Sequence, residues 1–220
     1  KHNVLVHSDC VQVLGKMPLD LEKLQIDYAT FSGHKFYSLK GTGVLFVRKN
    51  APFTSLIHGG GQERSRRGGT ENVLGISSLQ VMLEQLPNLE SQNLKILILR
   101  DQMETEILKK ISNVTITAVE SERLVNTSSL VISGVDGETL LMSLDLLGFS
   151  VSTGAACSSG SPEPSPVLLS MGLSRQEAQN SLRIGLGWLT TESDIKKFID
   201  ALVSVVERIR SVEVKDSHVR

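Results

Sequence analysis

Apolar residues in this chain fall into short runs separated by polar and glycine-containing stretches. Val4-Leu5-Val6, Asp27-Tyr28-Ala29-Thr30-Phe31 and Gly43-Val44-Leu45-Phe46-Val47 are brief and carry β-branched or aromatic residues, which predicts strands over 4–7, 27–31 and 43–47. Between the first two, Pro18 to Leu24 reads as a turn followed by a short amphipathic helix. Residues 48–72 lack periodicity. They hold Pro52, three glycines at 59–61, and Arg64, Arg66 and Arg67, and are expected to form a long, mobile, basic loop of the kind that is functional or disordered. From Glu71 to about Ile111 the pattern is helical, interrupted near Pro87, with a stripe of Leu94, Leu97, Ile98, Met103 and Ile107.

Farther along, 114–118 alternates as a half-exposed strand, and Leu130-Val131-Ile132 reads as another. Gly137-Glu138-Thr139 opens a helix that runs to Leu147, with Gly148 as its C-cap. Ser174 followed three residues later by Glu177 fits a capping box. Residues 182–186 read as a strand. Ile195, Phe198, Ile199, Leu202, Val206 and Ile209 make an amphipathic stripe on a last helix, and the polar tail from Glu213 is expected to fray. Strands alternating with crossovers predict an α/β fold. The helical stretch after residue 71 would lead from one domain, 1–90, into a second, 91–212, ahead of a tail at 213–220.

Composition narrows the function classes. In 220 residues there are 23 Lys+Arg against 24 Asp+Glu, a net charge of −1, with 40% hydrophobic and 21% charged residues. That is too apolar for disorder and too neutral for nucleic-acid binding by bulk charge. The arginine patch in 64–67 therefore reads as a solvated loop. No run approaches the roughly 20 apolar residues that cross a bilayer, so no membrane partner is expected. No secretory pattern stands before Val4, and Cys10 and Cys157 are too far apart in sequence for a disulfide framework or a zinc knuckle. A reducing, cytoplasmic setting is expected.

Candidate chemistry sits where strands end. Asp9, in His7-Ser8-Asp9-Cys10-Val11-Gln12, follows the first strand, where α/β sheets place ligand groups at their carboxyl edge. Asp9 could accept from a protonated ring nitrogen or bind a metal, or simply cap the next turn. Lys35, in Ser32-Gly33-His34-Lys35, follows the second strand beside a hydroxyl and an imidazole. A partly buried amine there is suited to a Schiff base, and a solvated loop lysine is the alternative. Asp9 and Lys35 come from consecutive strand ends and can face one crevice. A cofactor with an aldehyde, a pyridine nitrogen and a phosphate needs such a lysine, acid and hydroxyl set. Cys157 lies among Gly, Ala and Ser, so its thiol has little to bury it, and an exposed thiol is the reactive kind.

These segments, with Gly59-Gly60-Gly61-Gln62-Glu63-Arg64 and Gly69-Thr70-Glu71-Asn72, resemble the pyridoxal-phosphate segment of cysteine desulfurases, members of the class-V aminotransferase superfamily of fold type I. Ser152-Thr153-Gly154-Ala155-Ala156-Cys157-Ser158-Ser159-Gly160-Ser161 resembles their catalytic-cysteine loop. Ser181-Leu182-Arg183-Ile184 is similar to their substrate-carboxylate segment. The resemblance covers about residues 3–210. It implies the C-terminal part of the family's large mixed-sheet domain, followed by its smaller α+β domain. It begins in the middle of the large domain, which leads to the expectation that the chain is a C-terminal half.

By that resemblance, Lys35 would hold pyridoxal 5'-phosphate covalently and Asp9 would pair with its pyridine nitrogen. Gln12 would bond its ring hydroxyl, Val11 would pack on the ring, and Ser32 and His34 would bind the phosphate. Thr70 would reach the phosphate of a neighbouring subunit, implying a homodimer. Arg183 would clamp the carboxylate of L-cysteine. Cys157 would accept the sulfur as a persulfide, releasing alanine, and pass it to an acceptor such as an iron–sulfur scaffold or toward tRNA thiolation. No resident metal is implied, with Cys157 able to serve as a transient iron–sulfur ligand. Cys10, where the family more often has Ala, reads as core filler. The family often places Gly-Pro where Ser38-Leu39 stand here, which loosens the turn after Lys35. A selenocysteine lyase or other class-V lyase, and a non-catalytic dimerisation or acceptor-docking module, stand as alternatives.

Overall fold

A computed structural model describes residues 4–154 and 163–217, with the backbone alone for 89–90 and 213–217. The chain divides into two compact units, Lys1–Ser91 and Gln92–Arg220. The first is built on a three-stranded sheet of β1 (His7–Asp9), β2 (Tyr28–Ser32) and β3 (Gly43–Val47). β1 and β2 run parallel, with Asp9 opposite Thr30, and β3 returns antiparallel to β2. One face of β2 is buried through Ala29 and Phe31, which pack with Cys10 and Ile26. Cys10 is thus a core residue.

The strand expected over 4–7 begins instead at His7, and Val4, Leu5 and Val6 are exposed. Their apolar character is not matched by burial within this unit. Val6 is held by its main chain, its amide donating to the Asp27 carboxylate and its carbonyl accepting from the amides of Asp27 and Tyr28. The helix expected near Pro18–Leu24 is a single turn. Asp20 Oδ1 accepts the amides of Glu22 and Lys23, and Gln25 turns to φ +52° before a second turn can form. A helix nucleus is costly, and one hydrogen-bonded turn without a following one does not propagate.

The loop 48–72 contains the short α1 (Gln62–Ser65), in which Glu63, Arg64 and Ser65 all adopt positive φ, so it is a left-handed turn rather than a regular helix. α2 (Val73–Glu84) starts on Asn72, whose side chain accepts the Gly75 amide. Leu86–Asn88 forms a 3-10 turn at Pro87 before α3 (Leu89–Lys110).

The second unit is a three-stranded antiparallel sheet of β4 (Val114–Ile116), β5 (Thr127–Ile132) and β6 (Ser181–Gly185), with β5 central. Its helices are α4 (Gly137–Leu146), α5 (Pro166–Ser170), α6 (Arg175–Gln179) and α7 (Glu192–Ser217). Asp136 caps α4 by accepting the Thr139 amide, and Gly148 follows its C-terminus at φ +86°. The capping box is complete: Ser174 Oγ accepts the Glu177 amide, and the Glu177 carboxylate accepts from the Ser174 amide.

A single core joins α3, α4, α7 and the sheet, with Met103, Ile107, Leu130, Ile132, Leu140 and Leu202 at its centre. α7 buries Ile195, Phe198, Ile199, Leu202 and Val206, the face its spacing predicts, and Phe149 meets Phe198 edge to face with centroids 5.6 Å apart. α3 buries only part of the stripe expected of it, through Met103 and Ile107. Ile96, Leu99, Met103, Ile107 and Ile111 are inside, while Leu94 and Ile98 are exposed. The inward face also takes Arg100 and Glu104, polar residues that hid the true period. α7 continues through Ser217, past the point where fraying was expected. Each further residue adds a backbone hydrogen bond to a helix already fixed by packing.

Candidate active site

The first unit arranges its chemistry at the carboxyl edge of β1 and β2. Because these strands are parallel and in register at Asp9 and Thr30, the chain leaves both at the same edge, with Cys10 N still bonded to Thr30 O at 2.9 Å. Asp9 is exposed there, and its Oδ1 accepts the Val11 amide at 2.9 Å. Capping the turn and presenting a carboxylate are therefore compatible, since that bond fixes the side chain's direction. Val11 is half-buried and Gln12 is exposed.

From β2 the chain enters a 3-10 turn, Gly33–Phe36, that carries Lys35 on its exposed side and buries Phe36 beneath it. Gly33 makes this abrupt entry feasible: a Cβ there would lie 3.0 Å from Thr42 O and 3.1 Å from Leu79 Cδ2. Ser32 Oγ and His34 Nδ1 are hydrogen-bonded at 2.9 Å, which holds a hydroxyl and an imidazole together beside Lys35. The turn closes with Tyr37 at φ +70°, and Ser38 bonds Ser78 of α2 through their hydroxyls at 2.7 Å. That side-chain bond pins the turn despite the missing Gly-Pro pair.

Lys16 was not singled out by sequence reasoning. Its Nζ donates to Gln12 Oε1 at 2.7 Å. Burial pulls the Lys16 ammonium below its ordinary value, and the positive charge of Lys35 pulls it further. The four-residue spacing of Gln and Lys was the available signal.

Thr70 is exposed in the segment leading to the Asn72 cap, and its carbonyl accepts from Arg67 at 3.4 Å. The approach to it is tight: a Cβ at Gly68 would lie 2.7 Å from His58 O, so only glycine fits beside that backbone. His58 is exposed, and among the described residues no group of three or more His, Cys, Asp or Glu could hold a metal ion.

In the second unit, Arg183 projects from the exposed face of β6. It sits opposite Ser129 and forms a bridge with Ser152, whose hydroxyl accepts from the Arg183 Nε at 3.1 Å. This fixes the guanidinium at the root of the 152–161 segment. Gly154 is packed against Leu168, Ser181 and Ser165. Cys157 lies outside the described residues.

The chain resembles known proteins over most of its length. The model of the aminotransferase class-V family matches residues 1–198. The chain is 38% identical over 213 residues to a cysteine desulfurase IscS of Dictyoglomus turgidum and 40% identical over 213 residues to a cysteine desulfurase of Trichormus azollae. It covers 54% and 53% of those proteins, with 96% of this chain aligned in each case. Among solved structures, the NifS-like protein of Rickettsia africae superposes with a TM-score of 0.83 at 36% identity, over 92% of this chain and 54% of that one. The chain thus spans about half the length of the curated relatives it matches. With a family model spanning nearly its whole length and a strand-end lysine and aspartate arranged as described, the chain belongs to the class-V aminotransferase family.

Proposed function

We propose that this chain carries the cofactor-lysine part and the thiol part of a pyridoxal-phosphate-dependent cysteine desulfurase. The observation that supports it best is the parallel pairing of β1 and β2, which brings Asp9 and Lys35 out at one sheet edge. The donor set there fits the cofactor: an amine for its aldehyde, a carboxylate for its pyridine nitrogen, and an amide for its ring oxygen. A hydroxyl–imidazole pair serves its phosphate. The relatives named cysteine desulfurase support the choice of reaction.

When bound, the cofactor supplies an electron sink that makes bonds at the substrate α-carbon labile. Lys35 would hold it and, once released by substrate, move the proton at the substrate Cα. Asp9, its direction set by the Val11 amide, would keep the ring nitrogen protonated. Ser32 and His34 would anchor the phosphate. Arg183, steadied by Ser152, would pair with the substrate carboxylate. The Cys157 thiolate would attack the substrate Sγ. The Cβ–S bond breaks with its electron pair left on carbon, which takes a proton and departs as alanine, and Cys157 keeps the sulfur as a persulfide. Thr70 would serve the cofactor phosphate of a second subunit in a homodimer. The acceptor for the sulfur would be an iron–sulfur scaffold or a thiolation partner, in the cytoplasm. Among the described residues no helix is long and apolar enough to cross a membrane.

The test is direct. Incubating the chain with pyridoxal phosphate, reducing with borohydride and mapping peptides by mass spectrometry should place the label on Lys35, and Lys35→Ala should remove it. A label spread over surface lysines, unchanged in Lys35→Ala, would sink the reading.

A further inference from the structure

Gln12 and Lys16 lie in the run of turns that follows β1, four residues apart, with the Lys16 Nζ 2.7 Å from the Gln12 Oε1. An ammonium has three donors and no acceptor, so the Gln12 atom that faces it is the carbonyl oxygen. The amide NH2 is then the end turned away from Lys16. Without such a partner, the terminal torsion of an exposed glutamine is broad and roughly two-fold, and it presents oxygen as readily as nitrogen. Lys16 is well placed to impose the choice. Its own amide donates to Val13 O at 3.0 Å, the next amide, of Met17, donates to the same oxygen at 3.2 Å, and its side chain is half-buried. The turns that carry Gln12 and Lys16 leave β1 at the edge from which β2, its parallel neighbour, leads to Lys35.

We propose that Lys16 is a positioning residue that locks the Gln12 amide with its NH2 outward, as a hydrogen-bond donor to the ring oxygen of the cofactor carried on Lys35. This rests on the cofactor reading above. A phenolic ring oxygen that carries negative charge accepts from NH2 and is repelled by a carbonyl, so the orientation of this one amide decides between attraction and repulsion. Lys16 itself touches neither ring nor substrate in this scheme.

The test uses two aldehydes, pyridoxal phosphate and its 3-deoxy analogue, which lacks the ring hydroxyl. Occupancy of Lys35 is read by borohydride trapping and peptide mass spectrometry across aldehyde concentrations, with circular dichroism confirming the fold of each variant. Lys16→Met should weaken pyridoxal phosphate binding about tenfold, the size of one well-placed hydrogen bond. Gln12→Met should do the same, the double variant should be no worse than either, and Lys16→Arg should restore binding. Gln12→Glu keeps an acceptor for Lys16 but loses the NH2, so it should also lose about tenfold. With the 3-deoxy analogue, Lys16→Met and the unchanged chain should bind alike. An equal loss with both aldehydes, additive losses in the double variant, or unchanged pyridoxal phosphate binding in Lys16→Met would overturn the proposal while leaving the Lys35 assignment intact. Absence of any Lys35 label in the unchanged chain would overturn the cofactor reading and this proposal with it.

Discussion

The ion pair between Glu104 of α3 and Arg123 offers the sharpest test of how the second unit is held together. Both guanidinium nitrogens donate, at 2.8 and 3.1 Å, and the side chains are only 8% and 15% exposed. Arg123's pKa is raised above its ordinary value, first by its hydrogen bond to Glu104. Next to it, Arg100 donates to Leu124 O at 2.9 Å, so two polar residues on the inner face of α3 grip the segment at 123–124. Replacing Arg123 with Met removes the counter-ion and leaves a buried carboxylate. Breaking a buried pair in this way costs about 3–5 kcal/mol, and the partial exposure of Arg123 to water lowers that to about 2–3 kcal/mol. For a unit of this size the melting temperature should fall by roughly 10 °C. Adding Glu104→Gln should recover most of the loss. Differential scanning calorimetry measures both the loss and the recovery. A shift of less than about 2 °C, where the pair's worth predicts several times that, or no recovery in the double variant, would refute the assignment of the pair as a buried support.

The capping box predicts an acid limb. Hydrogen bonds from the Ser174 hydroxyl and amide hold the Glu177 carboxyl below its ordinary range. Its stabilisation is present at neutral pH and is lost as pH falls through that depressed value, so Glu177→Gln should flatten the acid side of a melting-temperature profile. An unchanged profile would show that the box contributes nothing in solution. Asn72→Ala removes the side chain that accepts the Gly75 amide at 3.1 Å and should cost about 1 kcal/mol, read by chemical denaturation. A loss below about 0.3 kcal/mol, well under that of a typical cap, would mean that water replaces it.

Much of the second unit could be read from the chain, because its signals are local. The α7 stripe recurs with the helical period, and the face it names is the face that is buried. The capping box is defined by two residues three apart, and both of its bonds form. In the first unit, β3 likewise begins and ends where its apolar run does. Cys157, by contrast, rests on its sequence motif alone.

What only the tertiary structure decided are matters of pairing and of which side faces in. Val4-Leu5-Val6 has the composition of a buried strand, yet burial depends on what packs against a strand, and among the described residues of this unit those side chains stay exposed. In α3, hydrophobic residues stand on more than one face. The fold selected the face that includes Arg100 and Glu104 because partners for both were available at 123–124. The sequence put Asp9 and Lys35 at strand ends. That both ends lie on one edge follows from parallel pairing, a long-range choice that no local pattern encodes. The bond from Lys16 to Gln12 lies between these limits. Its four-residue spacing is local, but the half-burial of Lys16 and its place at the edge that also carries Lys35 come from the fold. Residue types set which chemistry the chain could perform, and the packing of strands settled which of those residues come out at one sheet edge, because proximity across a sheet is a property of the whole fold.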